Sequence, residues 1–237
     1  QVVAICDAVG AKRRSTKKIM LSFDEYNVWY KARQTGMLDR PKDWPVGPAF
    51  NEEIYNHEDA LILGGAMIAL LNHCDRVKVA CLAQLVNVIA PIMTENGGAA
   101  WKQPIFFPFA DASRVGHGHV LRQAVTVPSF NTKATTDAPY LLSTVVASED
   151  GSCISVLALN RHLTERLGLT VSLRGFEGRW SVTNATELVS DDLMAVNTSQ
   201  NPDRVAPRPL NRVTVKNDEV TADLAPASWN VIELRRG

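Results

Sequence analysis

The sequence of 237 residues predicts two parts of different fold class, an α/β part over residues 1–115 and an all-β part over residues 116–237. Up to about residue 115 the predicted elements run helix, strand, helix, strand, helix. This order is typical of βαβ units and a parallel sheet. Beyond "GHGH" (116–119) the segments become short and β-rich, among them "HVLRQAVTV" (119–127) and "RVTVKNDEVTADL" (212–224), and turn residues separate them. Their spacing predicts a β-sandwich.

The first elements of the α/β part are a helix and a short strand. Residues 1–14 predict an amphipathic helix that ends in a basic cluster, and the chain begins within it without a methionine or a capping residue. That start indicates a piece of a longer protein. The run Ile19–Phe23 is apolar except for Ser22 and is too short for a globular helix. It therefore predicts a short buried strand.

The segment "NHEDALILGGAMIALLNHC" (56–74) is the strongest helix prediction. Asn56 can cap the helix, and Glu58 and Asp59 lie near the positive end of its dipole. Apolar residues cover most of its surface, so we expect it to pack on several sides, between a sheet and a partner. A second strand begins in "RVKVACLAQLVNVIAPI" (76–92), and Pro104 can start a third helix.

A polar segment of 23 residues, "KARQTGMLDRPKDWPVGPAFNEE" (31–53), separates the first strand from the long helix. Its three prolines and two glycines predict an irregular loop. An irregular loop of this length indicates a functional lid or a contact surface.

The composition is that of an ordinary globular protein, with 46% hydrophobic and 21% charged residues. Lys+Arg and Asp+Glu each number 25, which argues against a nucleic-acid partner or an anionic membrane surface. The longest apolar stretch, "ALILGGAMIALL" (60–71), is too short to span a bilayer. The amino end resembles no secretion signal. These features predict a cytoplasmic protein.

The four cysteines, Cys6, Cys74, Cys81 and Cys153, have no metal-type spacing and lie mostly in or beside apolar runs. We expect buried reduced thiols, ahead of disulfides or metal ligands. The pair His117-x-His119 can chelate a metal by its spacing, but Asp111 is the one carboxylate close in sequence. We therefore expect these histidines to be solvated or hydrogen-bonded.

The candidate site lies in "KKIMLSFDEYNVWY" (17–30), where Asp24 and Glu25 follow the apolar run and aromatic residues follow them. The carboxyl ends of parallel strands are where α/β folds bind ligands. A carboxylate among aromatic side chains suits a glycosidase, which needs two carboxylates and apolar faces for the sugar ring. Salt bridges to nearby Lys or Arg are the structural alternative. Adjacent strand residues point to opposite sides, so we expect Asp24 to orient backbone or to pack between strand and helix.

Two segments carry a family resemblance. "LSFDEYNVWY" (21–30) and the run from "YNHEDA" to "FADAS" (55–113) closely resemble the carboxyl-terminal half of α-L-arabinofuranosidases of glycoside hydrolase family 51. The similarity runs almost continuously over residues 1–120, and the remainder agrees in character and position. The resemblance implies the last part of a (β/α)₈ TIM barrel followed by a jelly-roll-like β-sandwich, in a retaining glycosidase without a metal or organic cofactor.

The resemblance also implies roles for individual residues. Glu25 corresponds to the catalytic nucleophile, with Tyr26 where many members have Trp. Trp29 would line the sugar-binding cleft, although its spacing alone favours a core aromatic. Gln84 would hydrogen-bond a hydroxyl of the arabinofuranose ring, although a strand-end Gln is more often structural. Asn87, in the same segment, is expected to be structural.

The partners implied by the resemblance are an arabinofuranosyl-containing saccharide and a companion amino-terminal polypeptide. The companion would carry the first six barrel strands and the acid/base glutamate, which follows an asparagine in the family. "FNEE" (50–53) has those letters, but it lies in the polar loop with no strand before it. A homo-oligomer, often a hexamer in the family, is implied as well.

A non-catalytic carbohydrate-binding module, with the β-sandwich as its functional part, is the alternative from another class. An exposed row of aromatic residues on one sheet face would favour it. Past residue 120 the sequence has only Tyr140, Trp180, Trp229 and a few phenylalanines, widely scattered.

Overall fold

The computed structural model describes residues 1–29 and 52–237, so Tyr30 and residues 31–51 of the predicted polar loop lie outside the described residues. The described helices are α1 (Val2–Lys12), α2 (His57–Asn72) and α3 (Phe106–Val115). The first strands are β1 (Leu21–Tyr26), β2 (Val77–Leu82), β3 (Ile92–Thr94) and β4 (Ala100–Lys102). The later strands are β5 (His119–Val120), β6 (Ser129–Phe130), β7 (Ala138–Pro139), β8 (Leu141–Ala147), β9 (Cys153–Asn160), β10 (Leu167–Ser172), β11 (Trp180–Leu188), β12 (Arg208–Pro209), β13 (Val213–Lys216), β14 (Glu219–Leu224) and β15 (Ser228–Arg236).

Strands β1 and β2 pair in parallel, and α2 lies between them in the sequence. Most later strands form two antiparallel sheets, one of six strands in the order β12-β11-β15-β9-β8-β5 and one of three in the order β10-β14-β13. The two sheets share a buried apolar cluster that includes Val156 and Ile232 from the larger sheet and Leu169 and Val220 from the smaller one. The smaller sheet therefore packs on one face of the larger sheet.

Helix α2 packs on the opposite face of the six-stranded sheet. Leu63 and Met67 of α2 share a buried cluster with Leu157, Trp229 and Val231 of that sheet. The predicted α/β and all-β parts are thus joined by a common core. The prediction that α2 packs on several sides is confirmed, since Tyr26 of β1 also packs against this cluster.

The amino end of α2 is fixed by a capping box. The Asn56 side chain accepts a hydrogen bond from the Asp59 N–H at 2.9 Å, and the Asp59 carboxylate accepts one from the Asn56 N–H at 2.9 Å. The predicted cap is confirmed. The neighbouring His57 side chain is fully buried, and its Nε2 donates to the Ala227 carbonyl oxygen at 2.9 Å. Burial lowers the pKa of His57 and holds the ring neutral.

The prediction of a buried first strand is wrong. The strand begins at Leu21, two residues later than predicted, and four of its six side chains are exposed, including Phe23 at 47%. Among the described residues β1 pairs only with β2, and its contact with α2 is made through Tyr26. The preceding α1 also buries no residue. Arg76 anchors this region, with an ion pair to Asp7 at 2.9 Å.

Three other expectations are corrected. The predicted strand "HVLRQAVTV" (119–127) pairs only over His119–Val120, and "RVTVKNDEVTADL" (212–224) forms two strands, β13 and β14. Asn217 and Asp218 form the turn between them with φ of 51° and 59°, the left-handed pair that a tight hairpin needs. The cysteines are free but not buried, since Cys81 is exposed on β2 and the others are half-buried.

No described helix is both long and apolar enough to cross a bilayer.

Two adjacent glycines of α2 allow a matched stability test. An added Cβ at Gly64 would lie 2.6 Å from Trp229 Cε3, whereas at Gly65 the nearest atom, Leu159 Cδ2, lies at 3.4 Å. Overpacking costs about 1–3 kcal/mol, and a helical Gly→Ala change gains about 0.8–1 kcal/mol. We expect Gly64→Ala to lower the Tm of the protein and Gly65→Ala to maintain or raise it.

Thermal unfolding followed by circular dichroism measures both variants under one set of conditions. Equal Tm values for Gly64→Ala and Gly65→Ala would contradict the close packing of Trp229 on α2.

Candidate active site

The parallel pairing of β1 and β2 brings their carboxyl ends to one edge. Leu21 pairs with Val77 at the start of the strands and Tyr26 with Leu82 at the end. The Ala83 N–H then donates to the Tyr26 carbonyl oxygen at 3.0 Å, so the ladder continues one step beyond β2. This edge is the position at which α/β folds bind ligands.

Glu25 lies one residue before the end of β1, and its side chain is exposed. The register shifts here, because Phe23 pairs with Ala80 and Tyr26 with Leu82. Three steps of β1 thus face two steps of β2, which is a bulge around Glu25. Bulges occur next to active sites because they re-aim a side chain.

The same bulge corrects the expectation for Asp24. Regular alternation does not hold across the shifted register, and Asp24 and Glu25 are both exposed. Asp24 therefore does not pack between strand and helix. Its carboxylate accepts a hydrogen bond from the Ser22 hydroxyl, two residues earlier.

Tyr26 anchors the carboxyl end of β1. Its ring packs against the α2 cluster, and its hydroxyl donates to Met67 Sδ at 3.7 Å. Burial raises the pKa of Tyr26 to about 12, so the hydroxyl stays protonated. The residue that follows Glu25 is thus half-buried and held against the core, while Glu25 itself is exposed.

Gln84 lies two residues past the end of β2, and its side chain is exposed. Its N–H donates to the Ile89 carbonyl oxygen at 3.0 Å, which closes a tight loop over residues 84–89. Asn87 has a left-handed φ of 62°, and its side chain accepts from the Thr94 N–H at 2.7 Å. Asn87 therefore has a structural role, joining this loop to the β3–β4 hairpin.

Trp29 lies three residues past the end of β1 and is 38% exposed. Glu25, Trp29 and Gln84 are therefore all accessible residues at the carboxyl end of one parallel strand pair. A carboxylate, an indole and an amide are the types of group that bind and cleave a sugar.

The sequence patterns did not single out Asn27, which lies between the two strand ends. Its Nδ2 donates to the carbonyl oxygens of Ala83 and Ile89, both at 2.6 Å. A polar residue in the aromatic run "YNVWY" is a visible signal. Its partners, however, lie 56 and 62 residues away, so only the fold identifies its role.

The residues that would support a metal site or a carbohydrate-binding module do not lie at this strand edge. His117 and His119 are exposed, and the described ranges contain no group of three or more His, Cys, Asp or Glu that could hold a metal ion. Trp180 and Trp229 are buried in the core, and Tyr140 stacks between Phe130 and His162. The aromatic residues of 121–237 thus form no exposed row on a sheet face.

Comparisons with known proteins identify the family. Residues 24–228 match the family described as alpha-L-arabinofuranosidase C-terminal domain. The intracellular exo-alpha-(1->5)-L-arabinofuranosidase of Halalkalibacterium halodurans is 46% identical over 233 residues, which are 98% of this chain and 46% of that protein. The protein of the same name from Streptomyces lividans is 47% identical over 231 residues, covering 98% of this chain and 34% of that protein.

The solved structure of a family 51 alpha-L-arabinofuranosidase from Bifidobacterium longum superposes on the whole chain with a TM-score of 0.88, at 38% identity. The match covers 45% of that structure, so the chain spans less than half the length of these relatives. The described residues are rich in sheet and hold few helices, as that likeness implies. The chain therefore belongs to the alpha-L-arabinofuranosidase C-terminal domain family and is related to family 51 arabinofuranosidases.

Proposed function

We propose that this chain supplies the nucleophile and part of the sugar-binding cleft of a retaining, exo-acting α-L-arabinofuranosidase. The observation that carries the proposal is the position of Glu25, an exposed carboxylate at the carboxyl end of a parallel strand. The identity of 46–47% to proteins named exo-arabinofuranosidases supports this reaction class.

In this proposal residues 1–115 form the last two βα units of a (β/α)₈ barrel, and residues 116–237 form a β-sandwich. Strands β1 and β2 are parallel and α2 lies between them in the sequence, which supports the assignment of residues 1–115 to a barrel. The apolar cluster shared by the two antiparallel sheets supports the assignment of residues 116–237 to a β-sandwich. Barrel enzymes carry their active sites at the carboxyl ends of the strands, where Glu25 lies.

The reaction has two displacements at the anomeric carbon of a terminal arabinofuranosyl residue. The Glu25 carboxylate attacks that carbon, the bond to the leaving oxygen breaks, and a second carboxyl group protonates this oxygen. Water then attacks the same carbon, gives its proton to the second carboxylate and releases Glu25 and arabinose. Glu25 must be accessible to the sugar, which its exposed position allows.

Trp29 and Gln84 bind the sugar. The indole of Trp29 offers an apolar face for the C–H groups of the ring, and the Gln84 amide hydrogen-bonds a ring hydroxyl. Both residues lie at the strand edge that carries Glu25, on the loops that follow β1 and β2. Neither side chain is buried in the described part of the chain, so both can reach a ligand at this strand edge.

The second carboxyl group comes from an amino-terminal part that carries the other barrel strands. A retaining mechanism places it about 5–5.5 Å from the nucleophile. The apolar side chains Ile19, Phe23 and Val79 are each more than 40% exposed beside the site, and neighbouring strands would cover them. Glu53 of "FNEE" is 1% exposed, and Gln103 holds its carbonyl oxygen at 2.9 Å, which fits a structural role.

The substrate class follows from the relatives' names. We propose terminal arabinofuranosyl groups of oligo- or polysaccharides as the substrate, since these relatives are named exo-alpha-(1->5)-L-arabinofuranosidases. Their names also contain "intracellular", which supports a cytoplasmic location. A homo-oligomer, with the hexamer implied by the resemblance, remains a prediction.

Glu25→Gln tests the nucleophile. We expect kcat of the complete enzyme on an aryl arabinofuranoside to fall by at least about 10³-fold, because an amide cannot form the glycosyl ester. Azide should restore part of the turnover of Glu25→Ala by entering the space of the lost carboxylate. The matched control is Asp24→Asn, which keeps a side chain able to accept from Ser22 and should lose far less. Near-normal turnover in Glu25→Gln would disprove the role.

Gln84→Ala tests the binding residue. The loss of one hydrogen bond to a sugar hydroxyl costs about 1–3 kcal/mol, or about 5- to 150-fold in kcat/KM. Steady-state kinetics on the same substrate measure this change. Gln123→Ala is the matched control, because Gln123 bonds to Ser143 in the all-β part and should leave kcat/KM unchanged. Equal effects of the two variants would rule out a sugar contact by Gln84.

Expression of residues 1–237 alone tests the need for the amino-terminal part. We expect no turnover and no cooperative unfolding of the β1–β2 region, because the acid/base carboxyl and the covering strands are missing. Co-expression with the amino-terminal part should restore both. An active, soluble monomer that melts cooperatively would contradict this division of the site.

A further inference from the structure

We infer that Asn27 is a positioning residue that holds the Gln84 loop against the strand of Glu25. It follows β1 directly, and its Nδ2 donates to the Ala83 and Ile89 carbonyl oxygens, both at 2.6 Å. One side-chain amide thus ties the end of the nucleophile strand to the loop after β2. The inference rests on the proposed roles of Glu25 and Gln84.

The two carbonyl groups lie on either side of Gln84 in the loop. Ala83 is the residue directly before it, and the Ile89 oxygen is the acceptor of the Gln84 N–H at 3.0 Å. The Ile89 oxygen therefore receives hydrogen bonds from both Asn27 and Gln84. Because Asn27 fixes both ends of this short loop, it fixes the backbone from which the Gln84 side chain extends.

The two N–H donors of the Asn27 side chain are directed to this task, and the side chain also lies beside the Tyr55 hydroxyl, just before α2. A side-chain amide has two N–H donors, and the two carbonyls use both. Its Oδ1 accepts from the Val28 N–H at 2.7 Å, and Val28 packs against the core cluster around α2. The amide is thereby oriented by an anchored stretch of backbone. With its donors engaged, Asn27 acts through the Gln84 loop and not by contact with the sugar.

The loop needs such an anchor because its side chains are mostly outside the core. Gln84, Leu85 and Val86 are all exposed, and Leu85 is 67% exposed. Asn87 secures the far side of the loop to the β3–β4 hairpin but makes no bond to β1. Small displacements of a binding group cost large factors in rate, up to about 10²-fold for 1 Å. Asn27 therefore sets the geometry between the nucleophile and its neighbouring sugar ligand.

Asn27→Asp in the complete enzyme is the sharpest test, because it keeps the shape and the acceptor for Val28. The carboxylate places an acceptor oxygen opposite two carbonyl acceptors, which removes both bonds. We expect kcat/KM on an aryl arabinofuranoside to fall about 10- to 100-fold. Asn27→Ala removes the donors without adding a charge, and it provides the same test if the Asp variant does not fold.

A double-mutant cycle with Gln84→Ala separates positioning from general stability. If Asn27 acts through Gln84, its substitution should cost less than about threefold once Gln84 is alanine. Fully additive effects would overturn the inference. Asn72→Asp is the matched control, since it also loses an amide-to-carbonyl bond, from Asn72 Nδ2 to the Ser143 oxygen at 2.9 Å. That control should leave kcat/KM unchanged.

Hydrogen–deuterium exchange of the peptide covering residues 83–91 gives a readout without turnover. We expect faster exchange in Asn27→Asp and Asn27→Ala, and wild-type exchange in Asn72→Asp. Unchanged exchange in both Asn27 variants would overturn the inference even if activity fell. If Gln84→Ala and Glu25→Gln keep their turnover, the proposed function fails, and the exchange experiment still decides whether Asn27 holds the loop.

Discussion

The close contact between α2 and Trp229 of β15 is the constraint on which the rest of the structure depends. A side chain at Gly64 would collide with the Trp229 ring, so the helix backbone approaches the sheet directly. Trp229 is 1% exposed, and its Nε1 donates to Asp111 of α3 at 2.9 Å. One indole thus fixes the sheet, α2 and α3 relative to each other, and burial raises the pKa of Asp111 at this joint.

The candidate site takes its orientation from the same core. Tyr26 and Leu82, the last residues of β1 and β2, both pack against the cluster that contains Leu63 and Trp229. The carboxyl ends of the two strands are therefore held against α2, and the four side chains between the half-buried first and last residues of each strand are exposed. At the other end of β1 the Leu21 N–H donates to the Arg76 carbonyl oxygen at 2.7 Å, so the strand that carries Glu25 is anchored at both ends.

The sequence predicts best those features that depend on neighbouring residues. Asn56 and Asp59 are three positions apart, so their capping box is visible in the sequence and holds in the structure. The buried first strand was mispredicted because burial depends on what lies beside a strand, and "IMLSF" has the composition of a buried strand whatever its neighbours. The hydrogen bonds of Asn27 cannot be predicted from the sequence for a similar reason, since its two acceptors, Ala83 and Ile89, lie 56 and 62 residues away. The family resemblance pointed to Glu25, Trp29 and Gln84, but it gave no indication of what holds them together.

The division between anchored and exposed residues suits the proposed function of the site. A carboxylate in the core would be desolvated and protonated, and an attacking group must be ionised and open to its substrate. In the proposed site Glu25 is exposed where the register of β1 shifts, and the next residue, Tyr26, is anchored to α2. Gln84 stands on a loop whose backbone is fixed by Asn27, although its own side chain is free to reach a ligand. Under the proposed function, the position of each of these two groups is set by a neighbouring residue that makes the buried or hydrogen-bonded contact, and the group itself stays accessible.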